Sequence, residues 1–367
     1  MNEPHIGAPA ALPPALMQLG FTADFASAFA QIAEPDDRPA RVLAVHRNRL
    51  ELATADEVCS ATLSSKILKA EPLDRPATGD WVTVRTPSSD GLSQVRAVLP
   101  RRTAFIRRAA GEKTTPQVVA ANVDQVLIVT AVPGDYNERR LERYLALAWE
   151  SGAIPMVVLT KCDLVTDADE FIAKVHAMAP GVDVIAVSAA SELGIAHLSL
   201  LLTHGSTIAL LGSSGVGKST LVNRLAGERV MRTAEVDVDG RGRHTTTHRE
   251  LIRLPNGLLV IDTPGMRELQ LWSADAGLDH VFEDIIELSQ ACRFADCSHH
   301  TEPGCAVMAA VANEQLTTER FTSWRKLTRE ATRARIQGDA VAASTERAKL
   351  RAVMRAVRVH MQSKKDR

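Results

Sequence analysis

The octet Gly212-Ser-Ser-Gly-Val-Gly-Lys218-Ser219 follows an apolar run, Thr207-Ile-Ala-Leu-Leu211, and opens a helical pattern, Thr220-Leu-Val-Asn-Arg-Leu-Ala226. A buried strand that passes through glycines into a helix belongs to a parallel sheet with helices on its faces, so this segment commits the chain to an α/β core. The glycines let backbone N–H groups close around a phosphate at the positive end of the helix, where Lys218 reaches the β and γ oxygens and Ser219 offers a hydroxyl to Mg²⁺. Gly212, Ser213, Ser214, Gly215, Val216, Gly217, Lys218, Ser219 and Thr220 are therefore candidate phosphate contacts, with Lys218 also a candidate catalytic residue.

The surrounding text, from Val118 to about Leu271, keeps the same period. Val126–Thr130, Pro155–Leu159, Val184–Val187 and Leu258–Ile261 are short apolar runs, and a helical segment, Glu138–Gly152, separates the first two. Three of these runs end in polar turns with chemistry of their own. Asp262-Thr-Pro-Gly265 places a carboxylate where it can hold the magnesium shell and a glycine N–H where it can meet a γ-phosphate. Thr160-Lys161-Cys162-Asp163 presents a carboxylate that accepts from guanine N1–H and the exocyclic amine, a pair of donors that adenine lacks. Ser188-Ala189 stands where a backbone N–H can meet guanine O6. In an ordinary small GTPase the guanine-reading element comes last. Here it precedes the phosphate loop, so the set is complete but circularly permuted.

The flanks differ from this core. Residues 1–40 carry Pro13-Pro14 and an apolar pattern through Leu16, Leu19, Phe21, Phe25 and Phe29, which predicts a peripheral helix. From 41 to 113 short β-like runs alternate with turn residues: Val42–Val45, Leu50–Leu52, Trp81–Val84 and Val95–Val98, the pattern of a small OB-fold β-barrel. This region holds 13 Lys/Arg against eight Asp/Glu, and Trp81 and Phe105 are its candidate stacking surfaces, so phosphate contact is favoured over base stacking. No signal peptide is expected, because Arg38 is the first Lys or Arg; the uncharged stretch Leu193–Gly217 is interrupted by histidines and glycines and does not read as a membrane span.

Beyond the core, Cys292, Cys297 and Cys305 fall within 14 residues, with His299 and His300 between them. Three thiolates and one imidazole make a closed tetrahedral zinc site, structural rather than catalytic. Either histidine could supply the nitrogen. The formal net charge of -1 conceals a cationic tail: Arg325–Arg367 holds 13 Lys/Arg against four Asp/Glu. Arg347, Lys349, Arg351, Arg355 and Arg358 recur near helical period, as in a helix laid against RNA phosphates.

Together these segments resemble the circularly permuted, ribosome small-subunit-dependent GTPase A family (RsgA, also called YjeQ). The resemblance covers residues 38–325. It rests further on Gly79-Asp-Trp-Val82, Arg101-Arg102, Ala109-Ala-Gly-Glu-Lys113, Ala120-Ala-Asn-Val-Asp124 and His244-Thr-Thr-Thr247. It implies a multidomain chain: an extension (1–40), the OB-fold barrel (41–113), the circularly permuted α/β P-loop GTPase domain (114–275), and a zinc-binding helical domain with a basic tail (276–367). It also implies GTP/GDP and Mg²⁺, one structural Zn²⁺ on Cys292, Cys297, His299 and Cys305, and a cytoplasmic monomer that works on the small (30S) ribosomal subunit and 16S rRNA. Position 160 departs from the usual pattern, carrying Thr where GTPases have Asn, which bears on the side-chain contact to guanine N7.

Hydrolysis needs a polar group to orient water, but Met266 occupies the place after Gly265 where many GTPases have glutamine. The nearest candidate is His244, in Gly240–Thr247, and the resemblance implies a role for it in hydrolysis; Thr246 is the candidate threonine for Mg²⁺. Slow hydrolysis by the free protein and acceleration by the small subunit follow as expectations. Since 26 residues separate Gly265 from Cys292, motion of the 262–265 loop is expected to reach the zinc module. The competing readings are an RNA-binding adaptor with a regulatory, non-hydrolysing nucleotide site, and an ATPase or kinase, which Asp163 disfavours.

Overall fold

The structure, a computed structural model, describes residues 12–47, 49–85, 92–108, 116–231, 249–262 and 275–335. His244, Thr246, Gly265, Met266 and the tail cations from Arg347 to Arg358 lie outside the described residues.

Five N-terminal strands close into a ring: β1 (Asp37–Val45), β2 (Leu50–Ala53), β3 (Val58–Leu63), β4 (Trp81–Arg85) and β5 (Ser93–Val98). β1 pairs antiparallel with β2 and β4, β2 with β3 and β4 with β5, while β3 and β5 pair in parallel. Closure leaves no free edge in the barrel. The strands alternate so that Ala40, Val42, Leu50, Leu52, Ala61, Val82, Val84 and Val95 fill the interior. Each valine or leucine buried there contributes about 1.5–3 kcal/mol. The short helices α1 (Pro14–Met17) and α2 (Ala23–Ile32) precede the barrel, and α3 (Ser65–Leu68), capped by the Ser64 side chain, drops Ile67 into it.

The barrel's aromatic residues correct one expectation. Trp81 is fully buried beneath Phe21 and Phe25, with the Phe21 and Trp81 rings 4.6 Å apart, and Phe105 is buried as well. Neither ring can stack on a base. The N-terminal aromatics are part of a core that covers Trp81, not a peripheral addition.

β6 (Ala104–Arg108) and β7 (Pro116–Ala121) form a two-stranded ladder. The α/β sheet follows, with β8 (Gln125–Ala131), β9 (Ile154–Thr160), β10 (Asp183–Ala186), β11 (Thr207–Leu211), β12 (Glu250–Arg253) and β13 (Leu259–Asp262) in the order β10-β9-β8-β11-β13-β12. All neighbours are parallel except β12, which runs antiparallel to β13. β8 and β9 are buried from the second residue to the last, as strands covered on both faces must be. The helices are α4 (Glu138–Ser151), α5 (Asp169–Met178), α6 (Ile195–Leu201) and α7 (Lys218–Ala226). α4 starts where the Asn137 side chain accepts from Arg140 N (3.0 Å) and ends at left-handed Gly152.

The barrel and this sheet are continuous, because β1 pairs with β12 at Ala44 and Glu250. A buried cation reinforces the join. Arg41, on β1, is fully buried and donates to Leu19 O (3.0 Å), Asn122 O (3.1 Å) and Thr207 Oγ1 (3.2 Å), with its guanidinium over the Trp81 ring. Burial pushes its pKa down to about 10, so it remains charged at neutral pH. Asp124 accepts from Thr207 N (2.7 Å) and from Arg102, while Arg101 grips fully buried Asp80 through two bonds of 2.8 and 2.7 Å. Gly79 stands at φ +90°, and a Cβ there would lie 2.2 Å from Ala121 O, so only glycine lets the barrel approach this closely. The segments 79–82, 101–102 and 120–124 that stood out in the sequence are the parts of this junction.

By its contacts the chain divides into two compact units, 1–107 with 117–269 and 108–116 with 270–367, so barrel and parallel sheet share one unit. The second contains α8 (Asp275–Val281), α9 (Glu283–Gln290), α10 (Ala306–Ala312) and a helical stretch over 318–335. Arg320 fastens that stretch, binding both Asp284 oxygens (2.7 and 2.8 Å) and Val281 O (2.8 Å). Among the described residues no helix is long and apolar enough to cross a membrane.

Candidate functional site

Four of the polar turns singled out in the sequence open from the C-terminal ends of the parallel strands. Thr160–Asp163 follows β9, Ser188-Ala189 follows β10, Gly212–Ser219 follows β11, and Asp262 closes β13. This edge is where open α/β sheets bind ligands.

The phosphate loop has the conformation its glycines permit. Gly212, Gly215 and Gly217 take φ of 148°, 78° and 97°. A Cβ on Gly212 would lie 2.2 Å from Val129 O, so the loop's first residue seats directly on β8. α7 begins after Gly217 with no side-chain cap, which leaves its first amides for an anion. Lys218 Nζ donates to Gly212 O (2.8 Å) and to Ser213 O, holding the ammonium at the mouth of the loop. Ser219 and Thr220 follow on the first turn, and Val216 is buried against the sheet core. These features fit a phosphate chain with its metal ion.

The second turn is fixed from beneath. Thr160 is buried, and its hydroxyl donates to Val216 O in the phosphate loop (2.6 Å). Lys161 is left-handed (φ 59°) and turns the chain into a 3-10 segment, Cys162–Leu164, in which Cys162 is buried and Asp163 exposed. Cys162 Sγ lies 3.2 Å from Leu159 O, and burial pushes its thiol pKa up, so this cysteine is a packing residue. Ser188 is fully buried, with Oγ accepting from Ala190 N and Ser191 N (3.2 Å each), which shapes the turn carrying Ala189.

Sequence reasoning missed Asn223. Its Oδ1 accepts from Val230 N (3.0 Å) and Met231 N (2.7 Å), and its Nδ2 donates to Met231 O, fixing the chain as it leaves α7. An asparagine inside a helix carries no signal of this task.

In the second unit, the ligand atoms of Cys292, Cys297, His299 and Cys305 all lie within 4.8 Å of one another. His299 Nδ1 is 3.6 Å from Cys292 Sγ and 3.4 Å from Cys305 Sγ, and the two sulfurs are 3.9 Å apart. A tetrahedral zinc with ordinary Zn–S and Zn–N bonds would separate two sulfurs by about 3.8 Å and sulfur from nitrogen by about 3.5 Å. The donor set thus fits Zn²⁺. His300 is outside this donor group, its ring accepting from Arg325 (2.7 Å) beside Arg329.

A parallel sheet whose glycine-rich phosphate loop follows the Thr160–Asp163 turn in the chain defines a P-loop nucleotide-binding protein of circularly permuted order. Residues 98–272 match the family model described as RsgA GTPase. The chain is 46% identical over 344 residues to the small ribosomal subunit biogenesis GTPase RsgA of Opitutus terrae, covering 90% of this chain and 94% of that one. It is 44% identical to the protein of that name in Streptomyces coelicolor, with 89% of each chain covered. Among solved structures, YjeQ from Thermotoga maritima matches with a TM-score of 0.59 and 27% identity, over 81% of this chain and 99% of that one. YloQ, described as a circularly permuted GTPase, matches in fold with a TM-score of 0.54 at 23% identity, over 82% and 97%. The chain belongs to the RsgA GTPase family.

Proposed function

We propose that this chain hydrolyses GTP to GDP and phosphate in the service of small-ribosomal-subunit biogenesis. The observation that carries the reading is the common edge: the phosphate loop after β11 and the Thr160–Asp163 turn after β9 open side by side, joined by the Thr160–Val216 hydrogen bond. A ligand held by both has a phosphate chain at one end and a base bearing two donors at the other. The relatives named for small-subunit biogenesis align over about nine-tenths of the chain, which supports the same purpose.

In this reading Asp163 accepts from guanine N1–H and the exocyclic amine, and a backbone N–H at Ser188-Ala189 meets O6. Water attacks the γ-phosphorus and the bond to the bridging β-phosphate oxygen breaks, leaving GDP. Lys218 and the first amides of α7 stabilise the charge that develops on the phosphate oxygens. Ser219, Asp262 and Thr246 would hold Mg²⁺, which would supply positive charge against the phosphate chain. His244 orients the water in place of a glutamine, and Gly265 N–H senses the γ-phosphate.

Cys292, Cys297, His299 and Cys305 hold one structural zinc, with no position left open for catalysis. Burial lowers the His299 pKa, which favours the neutral imidazole a metal requires. The barrel over 41–113 and the tail within 276–367 meet 16S rRNA through phosphates, and the protein acts as a cytoplasmic monomer. Co-sedimentation with purified small subunits tests the partner. Retention with a non-hydrolysable GTP analogue and loss with GDP is expected; equal absence from the subunit pellet in both states would defeat the ribosomal reading.

A further inference from the structure

We infer that Thr160 is a positioning residue that fastens the base-reading turn to the phosphate loop and gives no hydrogen bond to guanine N7. The chain then reads its base from the Watson–Crick edge and O6. The inference rests on the guanine reading above and adds to it how that reading is achieved without asparagine.

Thr160 closes β9 and is 5% exposed. Its Oγ1 lies 2.6 Å from Val216 O and 3.3 Å from Thr130 O. Both neighbours are carbonyls, so the hydroxyl must be the donor, and it has one proton. At 2.6 Å that proton is committed to Val216 O in a full-strength O–H···O bond. What remains on Oγ1 is acceptor capacity. Guanine N7 is itself an acceptor and cannot pair with it. An asparagine amide carries two N–H groups and could serve the carbonyl and N7 together; threonine has no second proton.

The same bond locates the hydroxyl over the start of α7. A Cβ built on Gly217 would lie 4.0 Å from Thr160 Oγ1, and Gly217 is the residue from which α7 begins. One oxygen thus sets the phosphate-binding helix end against the turn that continues through Lys161 to Asp163. The hydroxyl acts on binding through Val216, without touching base or phosphate.

Competition of unlabelled nucleotides against a fluorescent GDP derivative on the full chain tests this. Wild type should bind 7-deaza-GDP, in which C–H replaces N7, within about twofold of GDP, while ADP binds about 100-fold more weakly or worse. Thr160→Asn should open a gap of about 3- to 10-fold between GDP and 7-deaza-GDP, the worth of one added neutral hydrogen bond. Thr160→Val should weaken both nucleotides by the same factor, about 10-fold, and Thr160→Ser should restore them. A wild-type loss of fivefold or more for 7-deaza-GDP, with ADP still excluded, overturns the inference and leaves the guanine reading standing. So does a Thr160→Asn variant with no gap, and a folded Thr160→Val variant that binds GDP like wild type removes the positioning role. ADP binding as tightly as GDP would remove the guanine reading and this inference with it.

Discussion

Arg41 and Thr207, 166 positions apart in sequence, are joined by a 3.2 Å hydrogen bond from a fully buried guanidinium to the hydroxyl that opens the strand leading to the phosphate loop. Arg41 also holds Leu19 O and Asn122 O, so one side chain fastens the N-terminal helices, the barrel and the parallel sheet. Such a charge is stable only while its acceptors stay in place.

Replacing Arg41 with Met should therefore cost about 3–5 kcal/mol, because three acceptors lose their donor in a site water cannot reach. Urea unfolding of the purified variant measures it. A midpoint equal to wild type would mean that the guanidinium does not hold the barrel to the sheet.

At the Thr160–Asp163 turn, Asp163→Asn would replace what is proposed to be an acceptor of two guanine donors by a group that can donate to a carbonyl. GDP affinity should fall by about 100-fold, since hydrogen bonds to a charged group are each worth about 1.5–3 kcal/mol. Xanthosine diphosphate, with a C2 carbonyl where guanine has its amine, should bind the variant better than GDP does. Calorimetric titration with both nucleotides checks the exchange, and undiminished GDP binding would remove Asp163 from the base site.

The two adjacent histidines should behave differently. Elemental analysis of the purified protein should give about one zinc per chain for wild type and His300→Ala, and a large loss for His299→Ala. Chelation should destabilise the second unit, because zinc binding energy is folding energy for a site of this kind. Zinc retained by His299→Ala and lost by His300→Ala would reverse the assignment.

The sequence made the phosphate loop and the apolar strands legible because their signals are local. β8, β9 and β11 are continuous apolar runs, and the Gly212–Ser219 spacing admits few conformations. β3 and β12 escaped notice: Val-Cys-Ser-Ala-Thr-Leu and Glu-Leu-Ile-Arg are short and mixed in polarity, and beyond the hairpins they form with β2 and β13 their second partners, β5 and β1, lie far away in the chain. The Arg41 junction was illegible for the same reason, since nothing local distinguishes a buried arginine from an exposed one. Trp81 misled because an aromatic in a cationic barrel suggests a stacking surface, while Phe21 and Phe25, more than fifty positions earlier, bury it. At Thr160 the sequence showed a missing asparagine; the structure shows what the threonine holds.

Turnover at the nucleotide site is proposed to answer to the small ribosomal subunit. Phosphate release from GTP, measured for the full chain with and without purified small subunits and repeated with ATP, is the decisive measurement. Slow release from GTP by the protein itself, at least about 10-fold acceleration by the subunit, loss of that acceleration in Lys218→Ala and no comparable activity on ATP are the predicted results. A GTP hydrolysis rate that the subunit leaves unchanged, or equal turnover of ATP, would contradict it.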